Sequence, residues 1–170
     1  KTEAIIEQTK RVKRGLMQRL LREGIGNHRL TDTGTDLGQL PEHWKSVPLS
    51  DAIAPGEYTF TDGARQTLRA DEIREQGEAR VILLQEVSVG RFNDESPKFA
   101  TQKKYEEIEH RAIYPGEVVI AKMADPVARA CLIPDTYDQY LLGCADVVRL
   151  EADDDYDSRF LMYCMNSHDV

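Results

Sequence analysis

Apolar residues recur over positions 4–25 at the spacing of one face of an α-helix. They are separated by seven and then four positions, and basic residues occupy the other faces. Gly24 and Gly26 follow and are typical of a helix end. The pattern predicts an amphipathic helix whose stripe must pack on its own globule or, as we favour, on a partner helix in a coiled coil. The residues predicted to pack on the partner helix are Ile5, Val12, Leu16 and Leu20.

Beyond residue 40 the chain alternates between short apolar runs and turn signals. The runs are rich in β-branched residues, and Tyr114-Pro115-Gly116 forms a turn before one of them. A final helix is predicted over 159–166, with acidic residues before its first turn. The expected fold class is α+β, with a mixed or antiparallel sheet and peripheral helices. The predicted strands cover 81–87, 117–122, 129–133 and 146–150, with an edge strand at 47–49.

The segment between the first helix and the globule is polar. It is rich in Thr, Asp and Gly, and no hydrophobic periodicity is present. We therefore predict a helix over 1–26, a linker over 27–39 and one globular domain over 40–170. The chain does not begin with methionine, and we expect it to be a fragment of a longer protein.

Charge is distributed unevenly along the 170 residues, whose net charge is -8. Residues 1–30 carry eight basic and three acidic side chains, whereas residues 31–170 carry 14 basic and 27 acidic ones. An acidic globule disfavours non-specific binding to nucleic acid, although a local basic patch is compatible with it. No apolar stretch approaches the ~18 residues of a membrane span. The three cysteines indicate buried thiols in a reducing cytoplasm, since no disulfide or zinc pattern is present.

Catalytic and metal-binding patterns are missing from the sequence. The four histidines are scattered, and neither a phosphate-binding glycine loop nor a nucleophile elbow occurs. Glu117 and Lys122 have the wrong spacing for a metal-dependent nuclease centre. The acidic run over 151–157 lacks the glycine and the closing glutamate of a calcium loop. The sequence therefore predicts a protein without a catalytic centre or metal site.

Four segments, in order, resemble the DNA-specificity subunit of type I restriction–modification systems. Residues 12–24 (VKRGLMQRLLREG) are similar to the end of its spacer helix, and residues 40–49 (LPEHWKSVPL) to the start of a target-recognition domain. Residues 113–122 (IYPGEVVIAK) are similar to that domain's turn and strand, and residues 160–167 (FLMYCMNS) to its following helix. The chain departs from the family over 123–128, where relatives usually carry a glycine-containing turn.

The resemblance implies a non-catalytic protein that recognises double-stranded DNA in the cytoplasm. Members hold two recognition domains apart on paired helices, and each domain reads half of a split site. Methylation subunits that bind S-adenosylmethionine dock on this scaffold, and a motor/nuclease subunit that uses ATP and Mg²⁺ completes the complex. This chain would comprise the end of the spacer helix and most of the second recognition domain, C-terminally incomplete, with no cofactor of its own.

Base reading relies chiefly on Arg, Lys, Asn and Gln, while phosphate contacts set the register. A polar and basic loop over residues 90–104 suits both roles. For any single residue of it, the alternative is an ordinary solvated loop position without a DNA contact. A different class of function is also open: a protein-interaction module with a basic helix that binds no DNA. The predicted readers are Arg91, Asn93 and Gln102, and the predicted phosphate anchors are Lys98, Lys103 and Lys104. Further predicted DNA contacts are Arg65, Arg69, Lys122 and Arg129.

Overall fold

A computed structural model of the chain describes residues 2–62 and 68–167. The chain divides into two compact units, one comprising Lys1–Pro48 and Ser167–Val170 and the other Leu49–Asn166. The first unit is helical with a small hairpin, and the second is rich in strands. The predicted α+β class is confirmed.

The first unit contains helix α1 (Thr2–Glu23) and an antiparallel hairpin of β1 (Leu30–Asp32) and β2 (Gln39–Pro41). The helix was predicted, with ends displaced by two residues. The hairpin covers most of the segment expected to be a linker (27–39) and the first two residues of the expected globular domain. Its strands are short and β1 is exposed throughout, so neither strand has the alternating burial that a sequence pattern would record.

The second unit contains ten strands, two α-helices and four 3₁₀ turns among the residues that the structure describes. Its strands are β3 (Phe60–Thr61), β4 (Ala79–Ile82), β5 (Val87–Ser88), β6 (Arg91–Phe92), β7 (Lys98–Ala100), β8 (Ala112–Ile113), β9 (Val118–Ala121), β10 (Ala130–Leu132), β11 (Tyr140–Leu142) and β12 (Val147–Leu150). Its helices are α2 (Gln102–Glu107) and α3 (Ser158–Met165), and its 3₁₀ turns are Leu49–Ala52, Ala70–Glu72, Leu84–Glu86 and Glu109–Arg111.

Two four-stranded sheets form the body of this unit. One is antiparallel, with strand order β10-β9-β12-β3. The other is mixed, with order β7-β4-β11-β8, and its β11 runs parallel to β4. Strands β5 and β6 pair separately as a two-stranded ribbon.

The apolar runs are continuous because the central strands are buried on both faces. In β9, Val119 and Ala121 join a core cluster that draws residues from both sheets. The alternate residues, Val118 and Ile120, join the cluster that contains Leu161 of α3. Burial on both faces removes the alternation of a half-exposed strand, so these runs were readily predicted as buried strands.

The strand expected over 81–87 is shorter in the structure. Strand β4 ends at Ile82, the chain makes a 3₁₀ turn, and β5 begins at Val87. The carboxylate of Glu86 accepts the backbone N–H of Leu83 at 2.8 Å, which stabilises the turn. The edge strand expected at 47–49 was wrong, because the chain there leads into a 3₁₀ turn.

The basic loop expected over residues 90–104 is more ordered than the sequence suggested. It contains β6, β7 and the first turn of α2. The Thr101 hydroxyl accepts the N–H of Lys104 at 3.2 Å and caps this helix. None of the described helices is long and apolar enough to cross a membrane.

Candidate nucleic-acid interface

The ribbon of β5 and β6 places Arg91 at its exposed end. Ser88 pairs with Arg91 across the ribbon, and the two-residue turn Val89–Gly90 joins the strands. Gly90 has φ +66°, a conformation that glycine adopts without the penalty of a side chain. Its N–H donates to Ala130 O at 2.9 Å, which ties the turn to the antiparallel sheet. The ribbon is therefore ordered and packed against the sheet, with Val87 buried in the core.

A buried arginine joins the two ends of this ribbon. Arg80 lies in β4, is fully buried, and donates from Nε to Asp94 Oδ1 at 2.9 Å. Its Nη2 donates to Glu86 Oε1 at 3.4 Å, and its guanidinium lies 5.6 Å from the ring centroid of Phe92. Glu86 directly precedes β5, and Asp94 lies two positions after the last residue of β6. Both ends of the ribbon are thus held by one cation in a low-dielectric site.

Further hydrogen bonds hold the carboxylate of Asp94 and the backbone of Glu86. The Tyr137 hydroxyl donates to Asp94 Oδ2 at 2.9 Å, and burial, followed by this bond, raises the pKa of Tyr137. The backbone N–H of Asn93 donates to Glu86 O at 2.7 Å. We did not predict a role for Arg80, although an arginine inside the apolar run Ala79–Ile82 is the signal that marks it.

Arg129 joins the ribbon to the loop over 123–128. Its guanidinium donates to Val87 O at 2.6 Å and Leu84 O at 3.2 Å on the ribbon side. It also donates to Met123 O at 2.9 Å and Pro126 O at 3.4 Å on the loop side. The structure thus places Arg129, predicted as a DNA contact, as a brace between two backbone segments.

Four of the other predicted cations are engaged with carboxylates of the same unit. Lys104 contacts Glu72 at 3.0 Å, and this hydrogen bond raises the pKa of Lys104. The pKa of Glu72 is lowered first by the N–H of Arg69 and then by Lys104. These pairs neutralise most of the positive charge that the sequence placed here. The pairs are Lys98–Glu75, Lys104–Glu72, Lys104–Glu107, Arg69–Asp71, Arg69–Glu72 and Lys122–Asp62.

The remaining predicted contacts differ in their surroundings. Arg91 and Lys103 are exposed, and neither forms an ion pair with any residue that the structure describes. Asn93 is half-buried, and its Oδ1 is buried without a hydrogen-bond partner in the described part of the chain. Gln102 donates its side-chain amide to Glu106 at 3.0 Å. Arg65 lies outside the described residues.

A largely apolar groove of about 630 Å³ adjoins the loop over 123–128. The antiparallel sheet forms its floor, and the ion pair of Lys122 with Asp62, joined at 2.8 Å, lies within its lining. The groove offers room for apolar side chains of a partner. Its lining consists of Leu49, Phe60, Thr61, Asp62, Ile120, Ala121, Lys122, Val127, Ala128, Val148 and Met165.

The stripe of α1 is exposed, as a helix that needs a partner would be. No residue of α1 is buried, and the four predicted packing residues keep between 46% and 63% of their surface accessible. Large apolar side chains in a row at this exposure are typical of a surface that associates with another chain. These residues are Ile5, Val12, Leu16 and Leu20.

Among the residues that the structure describes, no group of three or more His, Cys, Asp or Glu could hold a metal ion. Cys131 and Cys144 are buried, and burial raises the pKa of the Cys131 thiol to about 12, so it remains protonated at neutral pH. A comparison of the chain with protein-family models finds no match.

Proposed function

We propose that this chain recognises a double-stranded DNA sequence as the non-catalytic specificity subunit of a type I restriction–modification complex. It would direct methylation and cleavage that partner subunits perform. The observation that carries the proposal is the ribbon over 87–92, held at both ends by buried Arg80 and presenting Arg91 without an acidic partner among the described residues. A two-stranded ribbon fits the major groove, and arginine reads guanine there through O6 and N7.

The cost of burying Arg80 supports a positioning role for this network. A buried ion pair is a weak source of stability, because desolvation offsets the attraction between the charges. An apolar residue would fill the site in β4 as well. The network instead sets the position of both ends of the ribbon, which is the requirement for a side chain that must meet a base edge. Asn93, the other reader predicted here, directly follows β6, and because its Oδ1 is buried only its Nδ2 amide would be left for a base contact.

Helix α1 supports the second half of the proposal. Its exposed stripe suits a coiled-coil partner, as a spacer helix between two recognition domains requires. The methylation subunits and the motor/nuclease subunit would bind to the assembled scaffold in the cytoplasm. S-adenosylmethionine, ATP and Mg²⁺ would belong to those subunits, and this chain would bind none of them.

The charge of the globule limits how the chain would hold DNA. Most predicted phosphate anchors are neutralised by carboxylates, so few counterions would be released on binding. We expect weak binding to random duplex and a shallow dependence of affinity on salt. Discrimination between sequences would then rest on the ribbon more than on general attraction to phosphates.

Substitution of Arg91 tests the proposal. A duplex enriched from a randomised library by the full chain would serve as the probe, titrated at several salt concentrations. Arg91→Ala is expected to weaken binding about 5- to 150-fold, because a bidentate contact with guanine contributes about 1–3 kcal/mol of discrimination. Preference for the guanine at that position would also be lost.

Arg74→Ala is the matched control, since Arg74 is another exposed arginine without an acidic partner in the described chain. It should keep the sequence preference. Failure of the wild-type chain to enrich any duplex would contradict DNA recognition. Equal effects of the two substitutions on all sequences would contradict base reading by Arg91.

A second function is favoured by the neutralised lysines and by the apolar groove. The chain would then be a protein-interaction module that uses its basic helix and binds no DNA. The same duplex titration separates this function from DNA recognition, because a protein-interaction module would bind no duplex at any salt concentration. Incubation of the selected duplex with the chain and Mg²⁺ should leave the DNA uncut under either function.

A further inference from the structure

The loop over 123–128 is exposed and apolar, and its backbone is held in an unfavourable conformation. Met123 and Val127 keep 56% and 70% of their surface accessible. Ala124 and Ala128 have φ of 66° and 62°, in the left-handed region that favours glycine. Residues in this region persist only where the surrounding structure determines them, and they cluster at functional sites.

The structure shows what determines this conformation. Arg129 donates to the carbonyl groups of Met123 and Pro126 within the loop, and the N–H of Ala128 donates to Ala121 O at 3.0 Å. The loop is therefore fixed internally and presents two apolar side chains to solvent. Folding of the core does not require either side chain to be apolar, since both are exposed.

The same arginine joins the loop to the ribbon that carries Arg91. Its contacts with Val87 O and Leu84 O place the loop beside the start of β5. The loop and the ribbon are therefore neighbours, which allows one duplex to contact both. This link is what brings the loop into the proposed interface.

The side chains of the loop suit pyrimidine edges. An apolar side chain contacts the C5-methyl group of thymine, and a carboxylate accepts the N4 amino group of cytosine in the major groove. Met123 and Val127 are apolar, and Asp125 between them is exposed. The loop itself contains no cation that could bind a phosphate, so its contacts with a duplex would be to base edges.

We infer that the loop over 123–128 reads pyrimidines next to the base read by Arg91, with Met123 and Val127 contacting thymine methyl groups. The inference rests on the proposed function and adds a specificity determinant to it. Arg129 is a positioning residue, which holds the loop against the ribbon and contacts no base.

Replacement of thymine by deoxyuridine tests the inference, because it removes only the C5-methyl group. The probe is the duplex enriched by the full chain, with each thymine replaced in turn. At one or two positions the wild-type chain should lose about fourfold in affinity, the equivalent of one buried methyl group. In Met123→Ser or Val127→Ser the loss at one of these positions should disappear, while the salt dependence stays unchanged.

Val47→Ser is the matched control, as Val47 is an exposed valine outside the loop, and it should keep the deoxyuridine effect. Melting curves should show that all three variants fold as the wild type does, because the substituted side chains are exposed. An enriched duplex whose affinity ignores every deoxyuridine replacement would overturn the inference and leave the proposed function standing. Identical deoxyuridine profiles for wild type and both loop variants would overturn it too, and would favour a protein contact for the loop. If no duplex is enriched, the proposed function and the inference fail together.

Discussion

Replacement of Arg80 by methionine is expected to lower the free energy of unfolding by about 3–5 kcal/mol. The substitution removes the cation from between Glu86, which is only 2% exposed, and Asp94. Methionine fills the space in β4, so the loss would come from the stranded carboxylate and not from a cavity. Urea denaturation followed by circular dichroism at neutral pH measures the change.

A double-mutant cycle distinguishes this cause from simple loss of packing. Arg80→Met combined with Glu86→Gln should recover part of the loss, because no charge is then left buried without its partner. Arg159→Met is the control, since Arg159 pairs with Asp157 on the exposed surface, and it should leave the midpoint nearly unchanged. A double variant that is no more stable than Arg80→Met alone would contradict the buried-charge account. If Arg80→Met does not fold, Glu86→Gln alone should still lower the midpoint.

Replacement of Arg129 by methionine is expected to lower the free energy of unfolding by about 2–3 kcal/mol, because hydrogen bonds from a charged donor are lost. The carbonyl groups of Leu84 and Val87 would lose a charged donor on one side, and those of the loop over 123–128 would lose it on the other. Ala124 and Ala128 would then keep their left-handed conformation without the hydrogen bonds that Arg129 gives to the loop. Urea denaturation gives the global effect, and hydrogen exchange of the Ala128 amide gives the local one.

Arg129→Lys separates the geometry of the guanidinium from its charge. A lysine keeps the charge but lacks the planar fork that reaches two backbone segments at once. We expect faster exchange of the Ala128 amide in this variant as well, with a smaller global loss. Arg74→Met is the control, and it should leave that amide protected. Wild-type protection of the Ala128 amide in Arg129→Met would refute the bracing role.

The elements that could be predicted from the sequence share one property: their signal is local. Helix α1 appears as a stripe at helical spacing, and β9, β10 and β12 appear as apolar runs because both of their faces are buried. Strand β11 has only three residues and was not predicted. The hairpin of β1 and β2 was missed because its exposed strands bury no regular face.

The candidate site was only partly predictable, because charge pairing in it is a long-range property. Lys98 and Glu75 are 23 positions apart, and Lys104 and Glu72 are 32 positions apart. A run of lysines along the chain therefore resembled a basic surface, although folding brings carboxylates to it. Among the described cations that we predicted to contact DNA, only Arg91 and Lys103 are exposed and form no ion pair with a described residue.

Composition and periodicity alone determined that this protein joins a basic amphipathic helix to an acidic α+β globule. Those features depend on residues close in sequence, and local propensity and burial pattern record them directly. Only the tertiary structure decided which arginine faces solvent and which holds the fold together. Arg91 is the first residue of a short strand and Arg129 directly precedes one, yet Arg91 is exposed on a ribbon whereas Arg129 is bonded to backbone carbonyl groups on both sides. The physical reason is that an arginine's role is set by the acceptors that folding brings within reach of its guanidinium.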